Sequence, residues 1–289
     1  MSDPCFHCAA IFMKDLRGAS SEPVYQLLDF LAGRGLRTAV EERAAATLLR
    51  SVDRFPIDQV PADTDLLIVL GGDGTLLSVA RHLNTRRIPL LGINFGSLGF
   101  LTEVPREDMI PNLNQILDGH FRMENRLRLE ARLKRNGVVL AEHLALNDMV
   151  ITKGALARII HIEVTVGPRF LSPYNADGFI VATPTGSTAY ALSAGGPIVT
   201  PTSRNLVLAP ICPHTLTHRP IVLDGSEPVR VRLLAGEDVM MTVDGQVGCP
   251  MVPGDVAEVA ASPHDARLVM PETQSFFDVL RRKLKWGER

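Results

Sequence analysis

An aspartate stands in a glycine-rich bend directly after a short apolar run. In LLIVLGGDGTLLSVA, residues 66–80, Asp73 follows two glycines and precedes Gly74 and Thr75. Glycines allow backbone N–H groups to approach a bulky anion such as a phosphate, yet a carboxylate at the same place repels that anion. Asp73 is therefore either a turn residue or a group that acts on a hydroxyl lying next to the anion.

Phosphoryl transfer to an alcohol is the chemistry that such a bend favours. In that reaction the protein mainly positions groups and neutralises charge, while an acidic residue orients the attacking hydroxyl or accepts its proton. Two other glycine motifs do not match. A P-loop needs Lys-Ser/Thr after its last glycine, and a dinucleotide fingerprint that starts at Gly72 needs a glycine where Leu77 stands. The alternative is an Asp-Gly turn without a ligand.

The elements around the bend predict a parallel, Rossmann-like α/β domain over residues 1–121. DLLIVL and IPLLGIN are continuous apolar runs, which are typical of strands buried on both faces, and TLLSVARHL between them has helical spacing. Upstream, SSEPVYQLLDFLAGRG predicts a helix with Ser21 as its N-cap. Strand, helix and strand in this order indicate a doubly wound sheet.

In the second half of the chain the pattern changes to short alternating runs. In NRLRLEARLK, apolar residues alternate with charged ones, so Arg126 and Arg128 fall on the face opposite the leucines. An Asn136-Gly137 pair then predicts a two-residue hairpin turn. Further runs of this kind predict a mostly-β, sandwich-like domain over residues 122–271. The segment 272–286 predicts an amphipathic helix that packs back on the first domain.

The composition excludes several classes of partner. The chain has 289 residues, of which 46% are hydrophobic and 21% charged, as expected for a protein that forms a core. A formal net charge of -2 gives no basic field for nucleic acid. No apolar run approaches the ~20 residues that span a bilayer, and the N-terminal segment lacks a signal-peptide pattern. We expect a cytoplasmic protein with neither a nucleic-acid nor a membrane partner.

Two spacings are similar to metal sites but lack the rest of the motif. Cys5 and Cys8 form a CxxC, but the other two cysteines of the chain make no second pair, so reduced thiols are expected. His214 and His218 are four residues apart, as in helical zinc motifs, but prolines surround them and the glutamate of that motif is missing. We therefore predict no metal ligands in the chain itself.

Several longer blocks resemble one family. GGDGT after a buried strand is similar to the signature shared by NAD kinases, diacylglycerol-type lipid kinases and phosphofructokinases. The blocks GINFGSLGFLT, ALNDMVI, DGFIVATPTGSTAYALSAGGPIV, PHTLTHRPIVL and VDGQ resemble NAD kinases and neither of the other two families. They lie in the family's order and cover most of the chain, from Asp65 to Gln246. The chain thus resembles the bacterial type of NAD kinase.

This resemblance implies an enzyme that transfers the terminal phosphoryl group of ATP, or of polyphosphate, to the 2′-hydroxyl of the adenosine ribose of NAD. It implies a homodimer or homotetramer. The simplest assumption for the metal is a divalent cation, Mg²⁺, that arrives with the nucleotide. A lipid kinase that shares the GGDGT motif is the enzyme alternative, and it predicts membrane association. A non-catalytic NAD(P)-binding sensor is the non-enzyme alternative.

The resemblance also implies roles for single residues. Asp73 is the candidate base for the 2′-hydroxyl, with Gly74 beside it. Asn147, as donor and acceptor, suits an adenine edge, and Asp148, where many relatives have glutamate, suits a ribose hydroxyl. Asp177 is placed by the resemblance against the nicotinamide carboxamide.

Other positions of the dinucleotide site are implied in the same way. Asn175 occupies a position associated with donor choice and leaves the choice between ATP and polyphosphate open. Arg158 is either a dinucleotide contact or a solvated strand-edge arginine, and Gln246 is a candidate from a hairpin turn. The loop TPTGSTAYALSAGG lines the NAD site with consecutive residues, namely Thr188, Ala189, Tyr190, Ala191, Leu192 and Ser193.

Overall fold

The chain forms two compact units in a computed structural model that describes residues 5–13, 21–83, 85–96 and 98–287. The first unit contains the described residues up to Asn125 and those from Ala266 onwards, and the second is Arg126–Asp265. The domain boundaries predicted from the sequence, 1–121 and 122–271, stay a prediction.

An eight-stranded sheet forms the centre of the first unit. Strands and helices are numbered along the whole chain. The strands of this sheet are β1 (Cys8–Met13), β2 (Arg37–Glu41), β3 (Asp53–Phe55), β4 (Leu66–Gly71), β5 (Leu90–Asn94), β6 (Val104–Pro105), β7 (Phe121–Arg126) and β20 (Ala266–Pro271). Their order is β3-β2-β1-β4-β5-β20-β7, with β6 beside β5, and the neighbours from β3 to β20 are parallel.

Helices cover this sheet. They are α1 (Glu22–Gly33), α2 (Glu42–Ala45), α3 (Asp73–His82), α4 (Met109–Leu117) and α6 (Phe276–Leu284), with a short 3-10 helix at Arg106–Asp108. All residues of β1 and β4 are buried, and α1 places Leu27 and Leu31 in the same apolar core as Ile11 and Ile68. The predicted parallel, Rossmann-like α/β fold is confirmed.

The first and last helices begin in different ways. Ser21 lies at the N-cap position of α1, as predicted, but its side chain makes no capping hydrogen bond. Its φ of -77° and ψ of -5° are helical, whereas a capping side chain needs an extended backbone to turn its oxygen toward the free N–H groups. In α6, Ser275 and Asp278 form a capping box, in which each side chain accepts a hydrogen bond from the other's backbone N–H.

Two six-stranded antiparallel sheets form the second unit. One consists of β10 (Asp148–Thr152), β13 (Gly178–Ala182), β14 (Asn205–Ile211), β15 (Ile221–Asp224), β17 (Val239–Val243) and β18 (Val247–Met251), in the order β15-β14-β13-β10-β17-β18. The other consists of β8 (Leu129–Arg135), β9 (Val138–Ala145), β11 (Ile160–Val166), β12 (Arg169–Ala176), β16 (Val229–Ala235) and β19 (Val256–Ala261), in the order β12-β11-β16-β19-β8-β9. A 3-10 helix (Thr185–Thr188) and the short helix α5 (Tyr190–Ser193) follow β13.

The two sheets share one apolar core, as expected for a sandwich. Met149 and Phe179 from one sheet belong to the same buried cluster as Val231 from the other. Asn136 and Gly137 join β8 to β9 with φ values of 50° and 81°, which is the backbone of a type I′ hairpin turn. The predicted mostly-β, sandwich-like fold and its first hairpin are therefore confirmed.

Arg126 and Arg128 are buried, which the alternating pattern in this half of the chain does not predict. The pattern places them opposite the leucines on a polar face, yet each is only 2% exposed. The segment after β19 covers Arg128, whose Nε donates to the carbonyl of His264 at 2.6 Å and whose carbonyl accepts from the N–H of Ser262 at 2.8 Å. Burial lowers the pKa of the Arg128 guanidinium, and the carboxylate of Asp265 opposes that shift.

The helices are short. Within the described ranges, none of them is long and apolar enough to cross a membrane. The four cysteines, Cys5, Cys8, Cys212 and Cys249, form no disulfide in the described part of the chain.

Candidate functional site

Asp73 is the first residue of α3 and follows the carboxyl end of β4 with only Gly72 between them. Its carboxylate faces a second loop of the same unit. Oδ2 accepts the N–H of Phe100 at 2.8 Å, and Oδ1 accepts the N–H of Leu101 at 3.0 Å. Oδ1 also accepts the N–H of Thr102 at 3.0 Å and its hydroxyl at 3.1 Å. The charge in the glycine bend is therefore compensated by a cluster of N–H and O–H donors.

Glycine at position 99 permits this close approach. A Cβ on Gly99 would lie 1.9 Å from Oδ1 of Asp73 and 2.5 Å from Oγ1 of Thr102, which is far inside van der Waals contact. A Cβ on Gly71 would likewise lie 2.5 Å from Oγ1 of Thr75. The structure thus brings two sequence blocks together, GGDGT and GSLGFLT, and their glycines let the carboxylate fit between them.

Two cations lie over aromatic rings of the loop that holds Asp73. Nζ of Lys283, on α6, is 5.6 Å from the centre of the Phe100 ring. The guanidinium carbon of Arg106 is 5.5 Å from the centre of the Phe95 ring. Cation–π contacts of this length hold a positive charge in place, and the amino end of α3 adds a partial positive charge. This edge of the sheet is therefore suited to an anionic ligand.

In the second unit, a hairpin carboxylate holds the segment with Asn147 and Asp148. Asp244 lies between β17 and β18 and is 8% exposed. Its Oδ2 accepts the N–H of Leu146 at 3.0 Å, and its Oδ1 accepts the N–H groups of Asn147 at 2.7 Å and Asp148 at 3.2 Å. The backbone just before β10 is thus fixed by a side chain.

The opposite side of the same segment is held by the loop after β13. The hydroxyl of Thr183 donates to the carbonyl of Leu146 at 2.6 Å, and the N–H of Thr183 donates to the carbonyl of Asn147 at 2.8 Å. A Cβ on Gly186 would lie 2.1 Å from the Asn147 carbonyl oxygen, so the 3-10 helix touches this backbone directly. The structure therefore brings the Asn-Asp pair and the TPTGSTAY loop together.

Asp148 is buried beside a second carboxylate. It is 5% exposed, and burial raises the pKa of its carboxyl group from 3.8 to about 7, with the charge of Asp244 adding to the shift. Three backbone N–H groups donate to Asp244 and stabilise its ionised form. Asp148 is therefore the member of the pair that takes up a proton. Near neutral pH, Asp148 can therefore donate as well as accept a hydrogen bond.

The raised pKa of Asp148 predicts a stability that depends on pH. Since this pKa is about 7 in the folded protein and near 3.8 in the unfolded chain, the folded state binds more protons between these values. The contribution of Asp148 to the free energy of unfolding, on the order of 4 kcal/mol, is complete below about pH 4. It is lost as the pH rises through about 7. We expect urea titrations to show the free energy of unfolding falling over this range in the wild type but not in Asp148→Asn. Equal slopes in the two proteins would contradict this origin of the shift.

Asp177 lies away from Asp148, at the other end of β13. Gly178 pairs with Thr152 whereas Ala182 pairs with Asp148, so about 16 Å of strand separates the backbone of Asp177 from that of Ala182, which lies opposite Asp148. Asp177 instead lies 3.6 Å from the ammonium group of Lys153. A single ligand that touches both aspartates must therefore be long.

The remaining candidates lie in loops, near the end of β12, in the 3-10 helix and in one short helix. Asn175 and Arg158 are exposed, as is Gln246 in the β17–β18 hairpin. On α5, Ala191 is buried against the outer face of the sheet, while Tyr190 is 44% exposed. The six consecutive candidates begin at the last residue of the 3-10 helix and continue through α5, and they are Thr188, Ala189, Tyr190, Ala191, Leu192 and Ser193.

Family models match both halves of the chain. The model described as the ATP-NAD kinase N-terminal domain matches residues 10–121, and the model described as the ATP-NAD kinase C-terminal domain matches residues 146–270. Together they account for more than half of the sequence. The chain belongs to the NAD kinase family. It is thereby a phosphotransferase with an alcohol group as acceptor, as the resemblance implied.

Relatives with the same description match along almost the whole chain. An NAD kinase from Citrifermentans bemidjiense is 44% identical over 284 residues, which cover 97% of this chain and 99% of the relative. An NAD kinase from Geobacter metallireducens is 49% identical over 265 residues, covering 91% and 93%. These similarities support NAD kinase function and do not favour the lipid kinase alternative.

Two solved structures are similar to this fold. The crystal structure of yeast NADH kinase complexed with NADH has a TM-score of 0.88 and 26% identity, and the match covers 99% of this chain and 89% of that one. The crystal structure of an NAD kinase from Archaeoglobus fulgidus in complex with ATP has a TM-score of 0.76 and 26% identity, with 96% and 98% covered. The recognition of the NAD kinase family from sequence blocks is confirmed.

The residues that hold the candidates in place are not among those predicted from the sequence. Asp244 stands in VDGQ, two residues before the candidate Gln246, and Thr183 opens the TPTGSTAY loop. An aspartate before a glycine in a hairpin is a common turn residue, so the motif alone did not separate Asp244 from an ordinary turn. Its long-range hydrogen bonds carry no local sequence signal.

Proposed function

We propose that the chain transfers the terminal phosphoryl group of ATP to the 2′-hydroxyl of the adenosine ribose of NAD in one step and so makes NADP. The observation that carries this proposal is that the two oxygens of the Asp73 carboxylate accept different numbers of hydrogen bonds. Oδ1 accepts three hydrogen bonds from Leu101 and Thr102, whereas Oδ2 accepts one from Phe100. Because an ionised carboxylate has about four lone-pair sites, Oδ2 keeps a site for the proton of the attacking hydroxyl.

In this mechanism Asp73 orients the 2′-hydroxyl and takes its proton as the oxygen attacks the terminal phosphorus of the donor. The bond from that phosphorus to the bridging oxygen breaks, and ADP leaves with the electron pair. The amino end of α3, the ammonium group of Lys283 and the guanidinium of Arg106 supply positive charge near the transferred group.

The dinucleotide is proposed to bind along the second unit. Asn147 and Asp148 would bind the adenosine half, together with Gln246 and the segment of residues 188–193. Asp177 would bind the nicotinamide carboxamide, with Asn175 and Arg158 nearby. The separation of about 16 Å along β13 supports an extended ligand.

A divalent cation is proposed to arrive with the nucleotide. In the described part of the chain no group of three or more His, Cys, Asp and Glu side chains is arranged to hold a metal ion. Mg²⁺ is commonly bound by substrate phosphates and one or two carboxylates, without a dedicated protein cage. The described part of the chain is compatible with an ion that is bound mainly by the nucleotide phosphates. When bound, the ion neutralises charge on the phosphates.

The cellular setting is proposed on separate grounds. Four free thiols suit the reducing conditions of the cytoplasm.

We propose a homodimer or homotetramer from family membership. Polyphosphate stays a candidate donor beside ATP because nothing in the exposed position of Asn175 separates them.

The experiment that tests this function is NADP formation by the purified protein from NAD, ATP and Mg²⁺. Product is measured by chromatography, and parallel reactions replace ATP with polyphosphate or NAD with diacylglycerol vesicles. We expect NADP and no phosphorylated lipid. NAD binding without product from either donor would favour a sensor, and neither binding nor product would overturn the proposal.

A further inference from the structure

On the side of β17, the backbone that leads into β10 is held by a side chain and not by strand pairing. Pairing between β10 and β17 begins at Met149 and Val243, so residues 146–148 lie beyond that ladder. Three successive N–H groups of this segment donate instead to the carboxylate of Asp244. Since a buried N–H group needs a partner, this side chain fixes one side of the segment, and Thr183 fixes the other.

The contact between the hairpin and the segment runs in both directions. The N–H of Asp244 donates to the carbonyl of Asp148 at 2.9 Å. Asp244 has a φ of 49° and Gly245 a φ of 63°, the left-handed backbone that Asp-Gly pairs favour in tight hairpin turns. This turn places the carboxylate of Asp244 against the segment.

We propose that Asp244 is a positioning residue, whose carboxylate holds the strand end that presents Asn147 and Asp148 to the dinucleotide and thereby sets the affinity for NAD. The inference rests on the proposed function, because it takes Asn147 and Asp148 as the residues that bind NAD. Asp244 itself need not touch the ligand. Its role differs from that of Asp73, which acts on the reacting hydroxyl.

The test is the Asp244→Asn variant, followed by steady-state kinetics. The amide oxygen can still accept from Asn147 and Asp148, but the amide nitrogen then faces the N–H of Leu146, so two donors oppose each other. We expect the KM for NAD to rise about tenfold or more, with the KM for ATP unchanged and kcat within about threefold. An unchanged KM for NAD would overturn the proposal.

The pH profile supplies a readout that a purely structural role would not move. The charge of Asp244 adds to the effect of burial in raising the pKa of Asp148, and it is the charged neighbour that acts on this group. Removing that charge lowers the pKa of Asp148, so the pH dependence of the KM for NAD should move to lower pH in Asp244→Asn. Asp244→Glu keeps the charge and is expected to raise the KM without moving the profile. It also serves as the second variant if Asp244→Asn does not fold.

The matched control is Asp255→Asn in the same unit. Asp255 is fully buried, accepts the N–H of Val252 at 2.9 Å, and binds Arg135 through both oxygens at 2.8 and 2.9 Å. We expect Asp255→Asn to lower the melting temperature but to leave the KM for NAD and its pH profile as in the wild type. Equal changes in both variants would reduce Asp244 to a structural aspartate and overturn the proposal.

Direct binding separates a failure of this inference from a failure of the proposed function. If the wild type makes no NADP, the proposed function is wrong, and calorimetry with NAD then compares the variants without turnover. Weaker NAD binding by Asp244→Asn than by Asp255→Asn would support positioning. Equal binding by the two variants would overturn it.

Discussion

Asp73→Asn is expected to lower turnover by about 10²–10⁴-fold, which is the range that a general base contributes, while NAD still binds. The substitution removes the acceptor for the hydroxyl proton. It also puts an amide NH₂ where Oδ2 now accepts the N–H of Phe100 at 2.8 Å. The measurement is kcat from steady-state NADP formation, with NAD affinity determined by calorimetry. Turnover within tenfold of the wild type would contradict the role of Asp73 as base.

Thr102→Val is the control that separates proton transfer from loop positioning. Its hydroxyl donates to the same carboxylate at 3.1 Å, and the side chain is fully buried. Valine keeps the shape and removes only that one hydrogen bond, at a cost of about 1.5–3 kcal/mol of stability for a bond to a charged group. We expect less than a tenfold loss of turnover. A loss as large as that of Asp73→Asn would mean that the carboxylate acts by holding the loop.

The fold was predictable because its signals are local. A continuous apolar run such as DLLIVL predicts a doubly buried strand from a few neighbouring residues, and β4 (Leu66–Gly71) is buried along its whole length. Alternation predicts the strands of the sandwich, and Asn136-Gly137 predicts its first hairpin from the backbone that those two residues prefer. Each of these rules needs only one segment of chain.

The geometry of the candidate site was not predictable in the same way, because its contacts are distant in sequence. The N–H groups that hold Asp73 belong to residues 27 to 29 positions further along the chain. Those that Asp244 holds lie 96 to 98 positions before it. Arg128 was placed on a polar face by alternation but is covered by the segment around His264. Periodicity describes one element and gives no information on what packs against it.

The two candidate carboxylates illustrate how environment separates similar residues. Asp73 and Asp148 are both short acids beside a loop, and the sequence motifs gave them related roles. In the structure Asp73 accepts four hydrogen bonds, which suits a group that acts as an acceptor. Burial near Asp244 raises the pKa of Asp148 to about 7, which suits a group that can donate to a ribose hydroxyl. The proposed base and the proposed binding residue thus differ in the way that their roles require.

Gly186→Ala is expected to weaken NAD binding and to lower stability together. The added Cβ would lie 2.1 Å from the carbonyl oxygen of Asn147 and 2.5 Å from its carbonyl carbon, both of them backbone atoms. That backbone cannot move away freely, because Thr183 and Asp244 hold it by hydrogen bonds of 2.8 and 2.7 Å. Overpacking of this kind costs about 1–3 kcal/mol or more. We expect a lower melting temperature and a KM for NAD raised at least about tenfold.

Gly33→Ala is the matched control, because the same methyl group added there meets no atom within 4 Å and the glycine lies in α1 with no left-handed backbone. Alanine is the better helix former, so this variant should be as stable as the wild type or about 0.5–1 kcal/mol more stable, with normal kinetics. If Gly186→Ala behaves like Gly33→Ala, the 3-10 helix can shift without cost and the tight contact is not needed. If it loses stability but keeps its KM for NAD, the segment with Asn147 can move without effect on the ligand, and these residues do not bind NAD.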